Sequence, residues 1–122
     1  MSASSVDKVL RAKQKGWRRR YPRYRANVPL TATTFRENEY QVLQGRCSDI
    51  GRGGMGVVLT PPAHASEVLS LEFTLSNHPT PLTLRAIVRY CKGFSHGLEF
   101  LGVTAEQQSI IEEFCTSLEM AE

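Results

Sequence analysis

The feature of the sequence that most constrains the fold is a strict alternation of apolar and polar side chains in Val68–Leu75. The alternation runs in the order Leu69, Ser70, Leu71, Glu72, Phe73, Thr74, Leu75. Because successive side chains of a strand point to opposite faces, this pattern predicts a half-buried β-strand. A helix would need its apolar residues three or four positions apart, so the segment is a poor helix.

Five further segments have the composition of short strands, and they are Asn27–Phe35, Tyr40–Ser48, Val57–Leu59, Leu82–Cys91 and Ser95–Leu101. Turns rich in glycine, proline or polar residues separate them. A chain of 122 residues has room for one core, so six short strands predict a single mainly β domain. The residues alone fit either an antiparallel barrel or a sandwich.

One helix is predicted near the end of the chain. Thr104 and Gln107 have the spacing of a capping box, in which each side chain bonds the other residue's backbone N–H. Behind them runs a helical stripe of apolar residues, namely Ile110, Ile111, Phe114, Cys115 and Leu118. This stripe predicts a helix that packs on the sheet.

The sequence predicts that residues 1–16 form a separate basic segment and that residues 17–122 form the folded domain. Val6, Val9, Leu10 and Lys13 share one helical face, which favours a short helix that Gly16 ends. A helix of that length is marginal alone. Residues 17–25 are predicted to be a loop, because Pro22 disfavours both a helix interior and a central strand.

Several functional classes find no support in the residues. The longest apolar runs are a few residues, which predicts no membrane span, and the N-terminus lacks the apolar core of a secretory signal. Cys47, Cys91 and Cys115 are far apart, which favours reduced, buried or half-buried thiols in a cytoplasmic protein. The three histidines are isolated, and no nucleophile–base pair is suggested, so we expect neither a metal site nor an enzyme.

Charge is distributed very unevenly along the chain. Residues 1–25 contain nine Lys/Arg against one acid, whereas residues 26–122 contain six Lys/Arg against eleven acids. The densest part is WRRRYPRYR, residues 17–25, with five arginines. Such asymmetry indicates an anionic partner. Because Trp17, Tyr21 and Tyr24 are interleaved with the arginines, a single-stranded nucleic acid stacked on aromatic rings is one alternative, and a solvated tail is another.

A second stretch, SDIGRGGMG at residues 48–56, is rich in glycine. It could be a turn between strands, or it could let a ligand approach the backbone closely. Asp49 adds a carboxylate, which can accept the adjacent N1–H and N2–H groups of guanine. Arginine forks bind phosphate and stack on purines. Together the two stretches suggest a clamp for a guanine nucleotide that is not a P-loop.

These stretches also resemble the motifs of a known family. Arg19-Arg20-Tyr21-Pro22-Arg23 resembles the RxxxR motif of PilZ domains, and Asp49–Gly54 resembles their [D/N]xSxxG motif, with Gly51 in place of serine. The ending His96–Phe100, followed by a capped helix, is similar as well, so that the resemblance covers residues 17–118. It implies a six-stranded antiparallel β-barrel with a C-terminal helix packed on it, and binding of the bacterial second messenger cyclic di-GMP.

The resemblance assigns roles to particular residues. Arg19 and Arg23 would contact the phosphates and guanine faces, Asp49 would read a guanine edge, and Gly54 would close the motif. Arg18 and Arg20 would help where the ligand binds as a stacked dimer. Arg52 adds a further cation beside the glycines.

Gly51 departs from the family pattern. Loss of the serine hydroxyl would remove a hydrogen bond worth about 1 kcal/mol, or about fivefold in affinity. From the sequence we therefore expect weakened binding, and we expect Gly51→Ser to leave binding equal or to tighten it.

The sequence thus predicts a cyclic di-GMP receptor that needs no cofactor, switches its arginine-rich N-terminal loop on binding, and signals to a protein partner that the sequence does not identify. Two alternatives stay open. One is a PilZ-like adaptor that binds protein partners without nucleotide, and the other is a basic nucleic-acid-binding module.

Overall fold

The computed structural model describes residues 21–118, which form six β-strands and one α-helix. In chain order the elements are β1 (Arg23–Arg36), β2 (Glu39–Gly51), β3 (Gly54–Thr60), β4 (Val68–Leu75), β5 (His78–Lys92), β6 (Ser95–Leu101) and α1 (Ala105–Cys115). The strands form a closed barrel in the order β1-β2-β3-β6-β5-β4, and every neighbouring pair is antiparallel. The predicted mainly β fold with a C-terminal helix is confirmed.

Alternation along the strands builds the core. In β4 the inward-pointing side chains are at most 3% exposed, whereas Glu72 and Thr74 face solvent; the inward set is Leu69, Leu71, Phe73 and Leu75. Each fully buried leucine contributes about 1.5–3 kcal/mol of hydrophobic free energy relative to exposure. A closed barrel has no free edge strand, so its core can be reached by solvent only at the ends of the barrel.

Helix α1 covers one end of the barrel. It begins with the predicted capping box, in which the Thr104 hydroxyl accepts from the Gln107 backbone N–H. Ile111, Phe114 and Cys115 are buried against the barrel. At the helix start, Gln107 Nε2 donates to the Thr83 carbonyl in β5 at 2.9 Å, which anchors α1 to the barrel wall.

The predicted strand bounds hold for β4 and β6 and are too short elsewhere. The loop predicted over residues 17–25 is wrong for its last three residues, because β1 begins at Arg23, directly after Pro22. The glycine-rich stretch is also mostly strand, with only Arg52 and Gly53 between β2 and β3. The predicted helix in residues 2–15, and the boundary at residue 16, lie outside the described residues.

Two β-bulges reverse the alternation in their strands. One lies between Cys47 and Asp49 in β2, and the other between Val88 and Tyr90 in β5. Cys47 and Val88 point into the barrel. Without a bulge, residues two positions further on would also point inward, whereas the bulges pair Asp49 with Gly56 and Tyr90 with Gly97, on the outer surface.

The far end of β1 is held by an ion pair between Arg36 and Glu67. Arg36 donates from Nε to Glu67 Oε2 at 2.6 Å and from Nη2 to Oε1 at 2.7 Å. The Thr34 hydroxyl donates to the same carboxylate at 2.6 Å, and the His64 backbone N–H does so at 2.9 Å. These hydrogen bonds, from Arg36 above all, lower the pKa of Glu67 to about 2.

Candidate functional site

The structure brings the two predicted motifs into direct contact. Arg23 Nη1 donates to Asp49 Oδ1 at 2.7 Å, although the two residues are 26 positions apart in the chain. The contact follows from the pairing of β1 with β2, which places Arg23 opposite Gly51 and Arg25 opposite Asp49. Only 14% of the Arg23 side chain and 23% of the Asp49 side chain are exposed, so water screens this ion pair less than a surface pair.

Gly54 leaves the space in which the Arg23 guanidinium lies. A Cβ atom at position 54 would be 2.0 Å from the Leu98 carbonyl oxygen of β6 and 3.1 Å from Arg23 Nη2. Glycine is therefore required by the close approach of β3 to β6, and it leaves the arginine in contact with the backbone of the motif. Asp49, Arg23 and Gly54 form one continuous patch on the outside of the barrel.

Gly51 is packed against the start of β1. A Cβ atom at this position would lie 2.3 Å from the Pro22 carbonyl oxygen and 3.2 Å from Arg23 Cδ. A serine at position 51 needs the start of β1 to move, because a backbone carbonyl cannot turn away as a side chain can. The departure from the family pattern thus coincides with tight packing of the chain that carries Arg23.

Arg52 is directed towards α1 and does not join the Arg23–Asp49 pair. Its Nε atom is 3.1 Å from Glu112 Oε2, and its guanidinium carbon is 5.1 Å from the centre of the Tyr21 ring. Both charged side chains are about half exposed, so the ion pair stabilises the fold by at most about 1 kcal/mol. The residue is placed where it could exchange Glu112 for another anion.

A groove of about 280 Å³ runs between the start of β1 and the end of α1. Its lining consists of Tyr21, Pro22, Tyr24, Arg52, Glu112, Cys115 and Thr116. The lining is mainly apolar, with one cation at its edge. The groove adjoins the chain that leads into Arg23, so a ligand held by Arg23 would have it as a neighbour.

The remaining predicted site residues, Arg18, Arg19 and Arg20, lie outside the described residues, and their roles stay predictions. Arg25 is a cation that sequence reasoning did not assign to the site. It is exposed and lies opposite Asp49 in the β1–β2 pairing. Its two-residue spacing from Arg23 would have indicated the shared strand face, had β1 been predicted to begin at residue 23.

The thiols near the site are poor nucleophiles. Cys47 donates to the Asp49 carbonyl at 3.2 Å, and Cys115 donates to the Ile50 carbonyl at 3.7 Å. Burial, followed by the nearby Asp49 charge, raises the pKa of Cys47 to about 12, and burial raises the pKa of Cys115 to about 11. Cys91, by contrast, is exposed, so the prediction that all three thiols are buried or half-buried is wrong for Cys91.

Residues 21–118 contain no group of three or more His, Cys, Asp or Glu side chains that could hold a metal ion. Within the same residues, no helix is long and apolar enough to cross a membrane.

Comparison with known proteins identifies the family. Residues 18–117 match the sequence profile of the PilZ domain, which is most of the chain. The chain therefore belongs to the PilZ domain family, a family of cyclic di-GMP receptors. Comparison with curated protein sequences finds no significant match.

Solved structures of PilZ proteins share the fold. The Bacillus subtilis inhibitor of motility MotI/DgrA superposes with a TM-score of 0.65 at 23% identity over 83% of this chain and 51% of its own, so this chain spans about half its length. The PilZ domain with c-di-GMP of YcgR from Escherichia coli gives 0.65 at 19% identity, covering 84% and 92%. The PilZ domain of CeSA from a cellulose-synthesizing bacterium gives 0.61 at 15% identity, covering 78% and 95%.

Proposed function

We propose that this chain is a non-enzymatic cyclic di-GMP receptor whose binding site is centred on Arg23 and Asp49. The observation that carries the proposal is the 2.7 Å contact between these residues beside Gly54, since it joins the two family motifs in one patch. The guanidinium offers parallel N–H donors for a phosphate or for the acceptor edge of guanine. The carboxylate accepts the N1–H and N2–H donors of the same base class.

Binding rearranges charge pairs that already exist. Asp49 Oδ1 accepts from Arg23, and each carboxylate oxygen has more than one acceptor position, so guanine can join Asp49 without full loss of Arg23. Exposed Arg25 adds positive charge on the same face of β1. We assign Arg19 to a second phosphate or guanine contact, and Arg18 and Arg20 to the case of two stacked ligands. Arg52 reaches the ligand by leaving Glu112.

We further propose that the bound ligand draws the basic segment that precedes β1 onto the barrel and so presents a new surface to a protein partner. The charge of this segment supports the idea, because nine Lys/Arg in residues 1–25 repel one another until an anion neutralises them. Hydrogen exchange of residues 8–25 tests it. We expect protection to rise when cyclic di-GMP binds, and equal protection in both states would exclude the switch. A cytoplasmic location stays a prediction.

Calorimetry on the intact chain tests the binding proposal. We expect heat of binding with cyclic di-GMP at one or two ligands per chain, and none with GTP. Arg23→Ala should weaken binding about 10- to 150-fold, because it removes a charge-assisted contact worth about 1.5–3 kcal/mol. Arg85→Ala is the matched control and should bind normally, because Arg85 is an exposed arginine of β5 that pairs with Ser70 and Leu101, away from the Arg23–Asp49 patch.

Two results would contradict this function. Absence of heat from the folded chain at high micromolar cyclic di-GMP would leave the nucleotide-independent adaptor. Binding to unrelated single-stranded nucleic acids, with a steep loss of affinity as salt rises, would favour the nucleic-acid module.

A further inference from the structure

A row of paired residues crosses five strands on the outside of the barrel. Its members, from β1 to β5, are Arg25, Asp49, Gly56, Gly97 and Tyr90. Each residue is the register partner of the next. The row therefore extends the Arg23–Asp49 patch sideways across β3 and β6 to an aromatic side chain at its far end.

Two members of this row, Asp49 and Tyr90, depend on the bulges for their position. Asp49 directly follows the bulge of β2, and Tyr90 directly follows the bulge of β5, so each bulge turns one of these side chains from the core to the outer surface. The extra residue in each bulge is held in place. Ser48 Oγ donates to the Gly56 carbonyl at 3.3 Å, and Arg89 Nε donates to Glu99 Oε1 at 2.5 Å. Bulges that re-aim side chains are common at binding sites.

The centre of the row is a floor without side chains. A Cβ atom at Gly56 would lie 2.6 Å from Asp49 Oδ2, and one at Gly97 would lie 2.1 Å from Tyr90 Cε2. The carboxylate therefore lies over one glycine and the tyrosine ring over the other. Gly56 pairs with Gly97, and the Cα atoms of directly paired residues in antiparallel strands are about 4.5–5.5 Å apart. The carboxylate over Gly56 therefore lies beside the ring over Gly97.

We propose that Tyr90 is the stacking partner of the guanine base that Asp49 holds. The inference rests on the proposed function and names one more ligand-binding residue. Asp49 fixes the N1–H and N2–H edge of the base. Because Gly56 and Gly97 have no side chains, the carboxylate and the ring lie close to the sheet, and the base packs on the outward face of the ring. The Tyr90 side chain is 46% exposed, so one part of the ring covers Gly97 and the rest is free to contact a base.

A competing role is available to Tyr90, because an aromatic ring over a strand glycine also stabilises the sheet. The two roles predict different results. A ring that only covers Gly97 affects the stability of the fold and not ligand affinity, and any apolar side chain of similar size can cover the glycine in its place. Stacking affects ligand affinity and needs an aromatic face.

Calorimetry with cyclic di-GMP on Tyr90 variants separates these roles. We expect Tyr90→Phe to bind like the unmodified chain, and Tyr90→Leu and Tyr90→Ala to bind about 5- to 150-fold more weakly, the range for loss of one base–aromatic stack. Tyr90→Leu is the decisive variant, because it retains an apolar cover over Gly97. Tyr40→Ala, at a tyrosine that is 77% exposed on the β1–β2 hairpin, is the control and should bind normally.

A second substitution tests the same geometry while the tyrosine is present. Gly97→Ala puts a methyl group where the ring now lies, so the ring must leave the floor. We expect Gly97→Ala to weaken binding in the unmodified chain and to change it little in the Tyr90→Ala background.

The outcomes are distinguishable from failure of the proposed function. If the unmodified chain binds cyclic di-GMP and Tyr90→Leu binds it equally well, the stacking role is wrong and the receptor function stands. If the unmodified chain does not bind, both are wrong. Weakened binding by Tyr90→Leu with retained binding by Tyr90→Phe supports the inference.

Discussion

The packing around Gly51 limits which residue can occupy this position of the candidate site. The family pattern has serine at this position, and the sequence alone predicts that restoring it leaves ligand binding equal or tightens it. The Pro22 carbonyl, however, lies where a side chain would start. A serine at this position could donate a hydrogen bond to a ligand only if the backbone at the start of β1 shifts to make room for its side chain.

We therefore predict that Gly51→Ser lowers the free energy of unfolding by about 1–3 kcal/mol, the usual cost of overpacking. Urea denaturation measures it. Gly53→Ser is a matched control from the same turn, since a Cβ atom there would meet only the Tyr21 ring, at 3.0 Å, and a ring can move aside. Equal stability of Gly51→Ser and the unmodified chain would show that the start of β1 adjusts without cost.

The sequence predicted that Arg23 and Asp49 both bind the ligand, but it did not predict that they contact each other. Two short motifs named both residues, because arginine and aspartate are the side chains that match guanine and phosphate. Their 2.7 Å separation depends on the β1–β2 register, which no local pattern specifies. Tyr90 was missed for the same reason, since a tyrosine near the end of a strand predicts no particular partner.

Among the strands, those whose apolar and polar side chains alternate without interruption were predicted best. β4 and β6 have the predicted bounds, whereas β2 was ended too early, at Ser48. Ser48 lies in the β2 bulge, where the alternation reverses and the sequence no longer looks like a strand. In β2 the bulge therefore concealed the strand end at the same place where it turns Asp49 towards the candidate site.

Helix α1 was predicted from its cap, and the cap makes a testable contribution. The Thr104 hydroxyl accepts from the Gln107 N–H at 3.1 Å, and the Gln107 side chain returns a bond to the Thr104 N–H at the same distance. We predict that Thr104→Ala lowers the free energy of unfolding by about 1 kcal/mol. Urea denaturation measures this loss.

Ser109→Ala is the control for the cap, because Ser109 is an exposed residue inside the same helix and alanine is the better helix former. We expect that variant to be as stable as the unmodified chain or slightly more stable. A loss in Ser109→Ala equal to that in Thr104→Ala would show that the capping bonds are not responsible.

The two ends of β1 carry separate ion pairs, which link distant parts of the molecule. Arg23–Asp49 belongs to the candidate site, and Arg36–Glu67 fastens the other end of the strand to the segment before β4. The second pair is away from the predicted ligand. Acid stability and ligand binding are therefore expected to respond to different substitutions.

We expect Glu67 to contribute to the loss of stability in acid. Its pKa is lowered from 4.5 to about 2 in the folded chain, so between these values the unfolded chain binds more protons. The stabilisation is complete above pH 4.5 and is lost as the pH falls through 2; its size is on the order of 3 kcal/mol. We predict that Glu67→Gln removes this part of the pH dependence and leaves cyclic di-GMP affinity unchanged.

Thermal unfolding between pH 2 and pH 7 measures the effect. Glu72→Gln, at an exposed carboxylate of β4, should reproduce the profile of the unmodified chain and is the control. An unchanged acid profile for Glu67→Gln would assign acid unfolding to other carboxylates.

In the receptor proposed above, the pairing of Arg23 with Asp49 would oppose the binding of common anions. A free inorganic phosphate that captured the arginine would leave the aspartate as a partly dehydrated charge with no counterion, and that penalty opposes the capture. Cyclic di-GMP would compensate both members at once, since one molecule brings a phosphate anion for the arginine and the N1–H and N2–H donors of guanine for the aspartate. On the proposed function, the Arg23–Asp49 contact would therefore select against anions that carry no donor edge for the aspartate.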